Sequence, residues 1–406
     1  PGPRRALRMG MATSPQTNGV DAALLERVRG LLPSIAEATP RIEADRRIPE
    51  PLLTRLMEAG LYHAYVPRSL GGLQVHPLTM MHALELIAGV EASTAWNIGQ
   101  NVVTGTQAAY LPEAIARKIF ATPRGILAWG PATGECKAVR VPGGFRATGK
   151  WSFASGMRHA TWLGGHCTVI GTDGAPEREK DGAVAYRTML IPATSATLID
   201  DWHVMGLRGT ASDTFTVQDL FVPEDHAIIR DNAAERRDPS LLYCFTTLNL
   251  FACGFGSVAL GVARAMLDAF IQLATEKVPR SQKSTLRESA STQLQVGQAE
   301  AKWRSARMFL RGSLADIWAT VEQTRQVTME QRVTIRMAAT HAIHQAREVG
   351  DFAYEAAGAS AIFDSNSFEK RFRDLHTIAQ QVQGRRANFE SVGKFLMGLE
   401  PDTAFL

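Results

Sequence analysis

The apolar residues of this chain change their spacing twice, and that double switch narrows the folds open to it. From about residue 20 to 120 they recur three and four positions apart. Leu24, Leu25, Val28, Leu31 and Leu32 form one stripe; Leu52, Leu53, Leu56 and Met57 form another. Such spacing gathers them on one face of a helix. Further helical stretches are expected over 79–90 and 95–109, and Pro67-Arg68-Ser69-Leu70-Gly71-Gly72 interrupts the pattern as a loop. From about 125 to 222 the period becomes that of strands, in short runs at 144–149, 162–170, 187–191 and 214–220. Turn sequences such as Pro142-Gly143-Gly144 and Gly171-Thr172-Asp173-Gly174 separate them. From about 239 long helical patterns return, over 241–276, 289–321, 328–358 and 371–397. Four such helices can close into an antiparallel bundle.

The expected fold class is therefore mainly α with a central β-domain. The expected divisions are a tail at 1–19 that is disordered or extraneous to the fold, an N-terminal helical domain at 20–124, a β-domain at 125–230 and a four-helix bundle at 231–406. Neither Rossmann alternation nor an internal repeat is present. Gly254-Phe255-Gly256 with Gly261 loosely imitates a dinucleotide loop, but no strand precedes it and the spacing is wrong, so it reads as helix packing.

Composition removes several classes of function. Forty-four Lys plus Arg face forty Asp plus Glu, without a basic block, which argues against nucleic-acid binding. The four cysteines, Cys136, Cys167, Cys244 and Cys253, lack CxxC spacing and neighbouring histidine pairs. That pattern speaks against a metal site or a disulfide framework and suits a reducing cytoplasm. The most apolar run, 248–266, is broken by Asn249, Ser257 and Arg264, so it is expected as a buried helix and not a membrane span. The opening fourteen residues are basic and polar, without the apolar stretch of a secretory signal.

The segment richest in chemistry is Trp151-Ser152-Phe153-Ala154-Ser155-Gly156-Met157-Arg158-His159-Ala160-Thr161-Trp162, entered from a glycine turn and a strand. An aromatic residue, two hydroxyls and a glycine within six positions can lay a flat ring system against the backbone. Short side chains then reach its polar edge, and the glycine permits close approach.

Several strings together resemble the acyl-CoA dehydrogenase superfamily. These are the Pro-x-x-x-Gly-Gly turn ending at Gly72, Met205-Gly206-Leu207-Arg208-Gly209-Thr210-Ala211-Ser212, Phe221-Val222-Pro223-Glu224 and Arg371-Phe372-Arg373-Asp374. Within it, Trp-Ser-Phe-x-Ser-Gly-x-x-His-x-x-Trp resembles the two-component flavin-dependent monooxygenases that hydroxylate hydroxyphenylacetate and steroid phenols. The dehydrogenases usually carry a C-terminal glutamate that removes an α-proton from an acyl thioester. Here that region reads Ile378-Ala379-Gln380-Gln381-Val382-Gln383-Gly384-Arg385, and an amide cannot act as that base. The hydroxylases commonly place a histidine eight residues after the arginine of the Arg-Asp pair; here Gln381 stands there.

The resemblance implies a reduced flavin, FMN or FAD, delivered by a separate reductase, and a homotetramer. It implies a C4a-hydroperoxide that passes oxygen from O2 to a small aromatic substrate, in a site closed to water. Ser155, His159 and Gln381 are the candidate catalytic positions. Trp151, Ser152, Phe153 and Ser155 are candidates to hold the ring. Arg280 is a candidate for the flavin phosphate of a neighbouring subunit. Arg371 and Arg373 have either a phosphate role or an ion pair with Asp374. His159 bonds either the flavin or the β-domain itself. Trp96, Asn97 and Asn101 are candidate substrate contacts. Two other readings remain open at this point: an acyl-thioester dehydrogenase whose base lies elsewhere, with Glu390 as a remote candidate, and a non-catalytic flavin-fold binding protein.

Overall fold

Asp21 caps the first helix by accepting the Leu24 amide at 2.9 Å. The computed structural model describes residues 19–280, 282–403 and 406; the expectation for 1–18 of the tail lies outside them. The N-terminal helices are α1 (Ala22–Asp45), α2 (Glu50–Glu58), α3 (Pro77–Val90), α4 (Ala92–Thr104) and α5 (Glu113–Phe120). The stripes at Leu24–Leu31 and Leu52–Met57 are the buried faces of α1 and α2. Glu91 ends α3 and caps α4, where its carboxylate accepts the Ser93 and Thr94 amides at 3.1 and 2.6 Å.

Eight strands follow: β1 (Leu127–Trp129), β2 (Lys137–Val141), β3 (Gly144–Trp151), β4 (Trp162–Ile170), β5 (Tyr186–Pro192), β6 (Thr197–Ile199), β7 (Thr214–Pro223) and β8 (Ala227–Ile228). They form one sheet in the order β6-β7-β3-β2-β4-β5-β8, with β1 added in parallel along β4. The four longest are the four that periodicity marks. β1, β6 and β8 have two or three residues each, too few to display an alternation.

The rest is helical: α6 (Thr247–Glu276), α7 (Ala290–Thr324), α8 (Met329–Ala357), α9 (Ser367–Gln380) and α10 (Asn388–Leu396). α6 is the centre of the molecule, packed by α3, α4, α7, α8 and α9. Among the described residues it is the one helix long and apolar enough to cross a membrane, yet 89% of its most apolar stretch is buried within the fold. Phe255 and Gly256 lie buried in mid-helix, in helix packing.

The expected single helix over 371–397 is corrected. Its helix starts earlier, at Ser367, and breaks after Gln380. The carbonyls of the break are taken up from outside: Thr340 donates to Gln383 O, His344 Nε2 bonds Gly384 O, and Asn388 donates to Val382 O and Gln383 O. With those acceptors satisfied by side chains of α8 and α10, the chain turns without a helical ladder.

Candidate active site

The segment 151–159 leaves the sheet at the end of β3 and runs beneath α4. Trp151 stays behind: it is fully buried, donates its indole N–H to His166 O at 3.0 Å and stacks on Phe215 with ring centres 5.0 Å apart. It is thus a core residue of the β-domain, and the expectation that it flanks a bound ring is corrected. The next residues lie directly on the segment that leaves β1. A side chain at Gly130 would place its Cβ 1.9 Å from Ser152 O, so only glycine lets the two backbones touch. The Ser152 hydroxyl accepts from Thr133 at 3.1 Å and from Thr214 at 2.8 Å. Phe153 follows in the left-handed region at φ 58°, with its ring 62% exposed and edge-on to Trp202.

Ser155 turns inward and is buried. Its hydroxyl receives the Trp96 indole N–H at 3.1 Å and lies 2.6 Å from the Ser212 hydroxyl. Ser212 in turn lies 2.7 Å from Thr210, and Thr210 donates to Leu207 O at 2.8 Å. The two segments are also stitched by backbone, Ala154 to Asp213 and Gly156 to Thr210. Leu207 and Ala211 are left-handed at φ 52° and 44°. With Phe153, three non-glycine residues in a costly conformation meet in one place, as at many functional sites.

α4 supplies the roof. Trp96 stacks on Phe255, with ring centres 3.8 Å apart. Asn101 donates its amide to Ser155 O at 3.2 Å and Leu127 O at 3.4 Å. Its carbonyl oxygen therefore faces His159 Nε2, 3.0 Å away. An oxygen that can only accept makes Nε2 the protonated nitrogen and leaves Nδ1 with a lone pair. Burial pushes His159 down to about 4, so the ring is neutral at neutral pH. Gly156, at φ 79°, leaves room for this contact; a Cβ there would lie 2.2 Å from the Asn101 oxygen. Asn97 donates to Gly209 O at 3.2 Å and keeps its own oxygen buried without a partner. His159 and Ala160 line the inner end of a cleft of about 360 Å³, edged by Arg41, Arg47, Glu50 and Arg124.

The structure thus brings together Ser155, His159, Trp96, Asn97 and Asn101, but not the arginines or Gln381. Arg280 is exposed and makes no hydrogen bond or ion pair among the described residues. Arg371 donates to Gly89 O at 3.0 Å. Arg373 is held by Glu369 and Glu43 and donates to Met205 O. The partner of Asp374 is not an arginine but Lys370, 2.6 Å away, which also meets Glu91 at 2.9 Å. Burial works against the Lys370 charge; the two carboxylates outweigh it and hold the ammonium well above the usual lysine range. Both guanidinium groups are therefore committed within the chain, which corrects their expected place beside a phosphate. Gln381 spends its side-chain oxygen on the Gln383 amide at 2.7 Å, as a cap at the helix break.

Sequence reasoning missed four contributors. Thr210 and Ser212 were in view as part of a resemblance, but nothing local shows that they face Ser155. Arg158 and Asp213 form an ion pair at 2.6 Å beneath the same loop, with the Asp213 carboxylate fully buried. Their signal was only one charge in each of two otherwise apolar or small-residue strings.

Comparison with known proteins agrees with this architecture. Residues 22–119 match the acyl-CoA dehydrogenase N-terminal domain, and 253–384 match its C-terminal domain. Indole-3-acetate monooxygenase of Pseudomonas putida is 26% identical, over 90% of this chain and 91% of its own. A flavin-dependent monooxygenase, oxygenase subunit HsaA, of Rhodococcus jostii is 26% identical, over 87% of this chain and 92% of its own. XiaF from Streptomyces, solved with FADH2 and glycerol, superposes with a TM-score of 0.87 at 25% identity, over 95% of this chain and 97% of its own. Two domain matches that flank the sheet, and similarity along almost the whole length, make the chain a member of the acyl-CoA dehydrogenase family.

Proposed function

We propose that this chain is the oxygenase component of a two-component monooxygenase, which takes reduced flavin from a separate reductase and oxygenates a small aromatic substrate. The observation that carries the reading is the buried hydroxyl cluster around Ser155, next to an exposed aromatic ring at Phe153. The residues suit a flavin: Ser155 and Ser152 offer short polar groups, Phe153 offers a flat apolar face, and Gly130 lets the backbone of 152–154 lie close. Reduced flavin, when bound, supplies the electrons that activate O2. The chain's own tasks are to hold the ring, keep water away and orient the substrate. Trp96 and Phe255 close the site from the helical side, and the stitched 152–156 and 210–213 segments close it from the sheet. Neutral His159 presents an acceptor nitrogen and no charge.

Arg280 is assigned to the phosphate of a flavin held by a neighbouring subunit in a homotetramer; its exposure supports that placement. No observation favours thioester dehydrogenation. Gln383 is buried with its amide oxygen bound by Arg336, and Glu390 is exposed on α10. The test mixes the purified protein with a flavin reductase, NADH, labelled O2 and aromatic candidates, among them indoles and phenols. Gain of one labelled oxygen by the product is the expected result. Protein that retains flavin in neither redox state, or bound oxidised flavin bleached by acyl-CoA thioesters, would overturn the proposal.

A further inference from the structure

The direction of every proton in the Ser155 cluster follows from its far end. Leu207 O can only accept, so Thr210 spends its single hydroxyl proton there, at 2.8 Å. The Thr210 oxygen must then be the acceptor for Ser212, 2.7 Å away. Ser212, having given its proton to Thr210, must accept from Ser155 at 2.6 Å. Three hydroxyls thus point one way along the chain Ser155, Ser212, Thr210, Leu207. At the near end the Trp96 indole, which is a donor only, fills one of the two lone pairs on Ser155. What Ser155 retains is one lone pair and no proton.

The anchor of this chain is rigid. The Leu207 amide is held by Asp374 at 2.6 Å, and the Leu207 carbonyl also receives the Trp202 indole at 3.1 Å. Thr210 is completely buried, so water offers its hydroxyl no alternative partner.

We infer that Thr210 and Ser212 are positioning residues that make Ser155 an obligate acceptor, and that the site thereby selects reduced over oxidised flavin. The inference rests on the flavin reading above. The chemistry is general: the central ring of a reduced flavin carries an N–H, whereas the oxidised ring presents a bare nitrogen at the same place. An acceptor meets the first and opposes the second. An oxygenase that must capture reduced flavin and release the oxidised form gains from that asymmetry.

The test compares dissociation constants for oxidised and anaerobically reduced flavin, by fluorescence titration, and the midpoint potential of the bound flavin. Thr210→Val keeps the shape and removes the hydroxyl. The Ser212 proton then has only Ser155 to go to, and Ser155 becomes a donor. The preference for reduced flavin is expected to fall about tenfold, the size of one hydrogen bond reversed. Ser212→Ala is expected to weaken it in the same direction, and Thr210→Ser, which keeps the hydroxyl, to preserve it. In a Ser155→Ala background Thr210→Val should change nothing further. A structural role would move both affinities together and leave their ratio alone, and an unchanged ratio in Thr210→Val overturns the inference. If that variant fails to fold, the contrast between Ser212→Ala and Thr210→Ser decides in its place. Wild-type protein that binds neither form would instead sink the flavin reading itself, a different outcome from an unchanged ratio.

Discussion

Asp374, on the last long helix, accepts the amide proton of Leu207 at 2.6 Å across 167 positions of sequence. Its other oxygen meets Lys370, so one buried carboxylate ties the bundle to the loop that anchors the Ser155 hydroxyls. Asp374→Ala takes from Lys370 its shortest ion pair, leaving Glu91 at 2.9 Å and Glu43 at 3.9 Å, and leaves the Leu207 amide without an acceptor. Breaking a buried pair in this way costs about 3–5 kcal/mol. Urea unfolding should show that loss; a change under about 1 kcal/mol would remove the carboxylate from this role.

Trp96→Phe is expected to keep the stack on Phe255 and delete the donor to Ser155. The loss of one neutral hydrogen bond in a buried setting costs about 1–2 kcal/mol. Chemical denaturation measures it. The informative comparison is Trp96→Leu, which removes the stack as well and should cost more.

Phe153 carries an exposed ring on a left-handed backbone, an arrangement that contributes little to folding. Phe153→Gly releases about 1 kcal/mol of backbone strain, partly offset by a freer unfolded chain. Its thermal midpoint should therefore stay level or rise while flavin retention falls several-fold. Unaltered flavin affinity would take Phe153 out of the binding surface.

Acid should destabilise the fold early. Burial holds His159 and His76 down at about 4 and His82 and His166 at about 3. Unfolded, each titrates near 6.5. Between those values the unfolded chain binds protons that the folded chain refuses, so stability falls as pH drops through that window and is fully present above it. The limit is about 1.4 kcal/mol per pH unit for each histidine, and solvent near these half-buried rings brings the slope below it. Urea midpoints taken from about pH 7 to 4.5 check this. A flat profile would mean that the rings are protonated in the folded state.

The architecture was readable because its long elements carry long patterns. The stripe of α1, the alternation of β3, β4, β5 and β7 and the apolar run of α6 each repeat enough times to declare a period. What stayed hidden depends on tertiary partners. The break after Gln380 exists because Thr340, His344 and Asn388 reach its carbonyls, and no residue inside the segment announces that. Trp151 looks like a binding-site aromatic from its neighbours, but it occupies the last position of β3, where the pleat points it into the core. Asp374 sits beside an arginine in sequence, yet a helix brings Lys370, four residues back, onto the same face. The cluster at Ser155 was half legible. Trp96, Asn97 and Asn101 could be named from residue type, but their bonds to the Ser155 hydroxyl and carbonyl, the His159 ring and Gly209 O needed the fold.

The enclosure of α6 has a consequence for biogenesis. Thirty residues with the character of a lipid-seeking segment emerge well before α7, α8 and α9 exist to shelter them. Until the later helices are synthesised, that surface is free to stick to bilayers or to other nascent chains. A holding chaperone that covers this segment until α9 is made should therefore raise the soluble yield more than any change at the chemical centre.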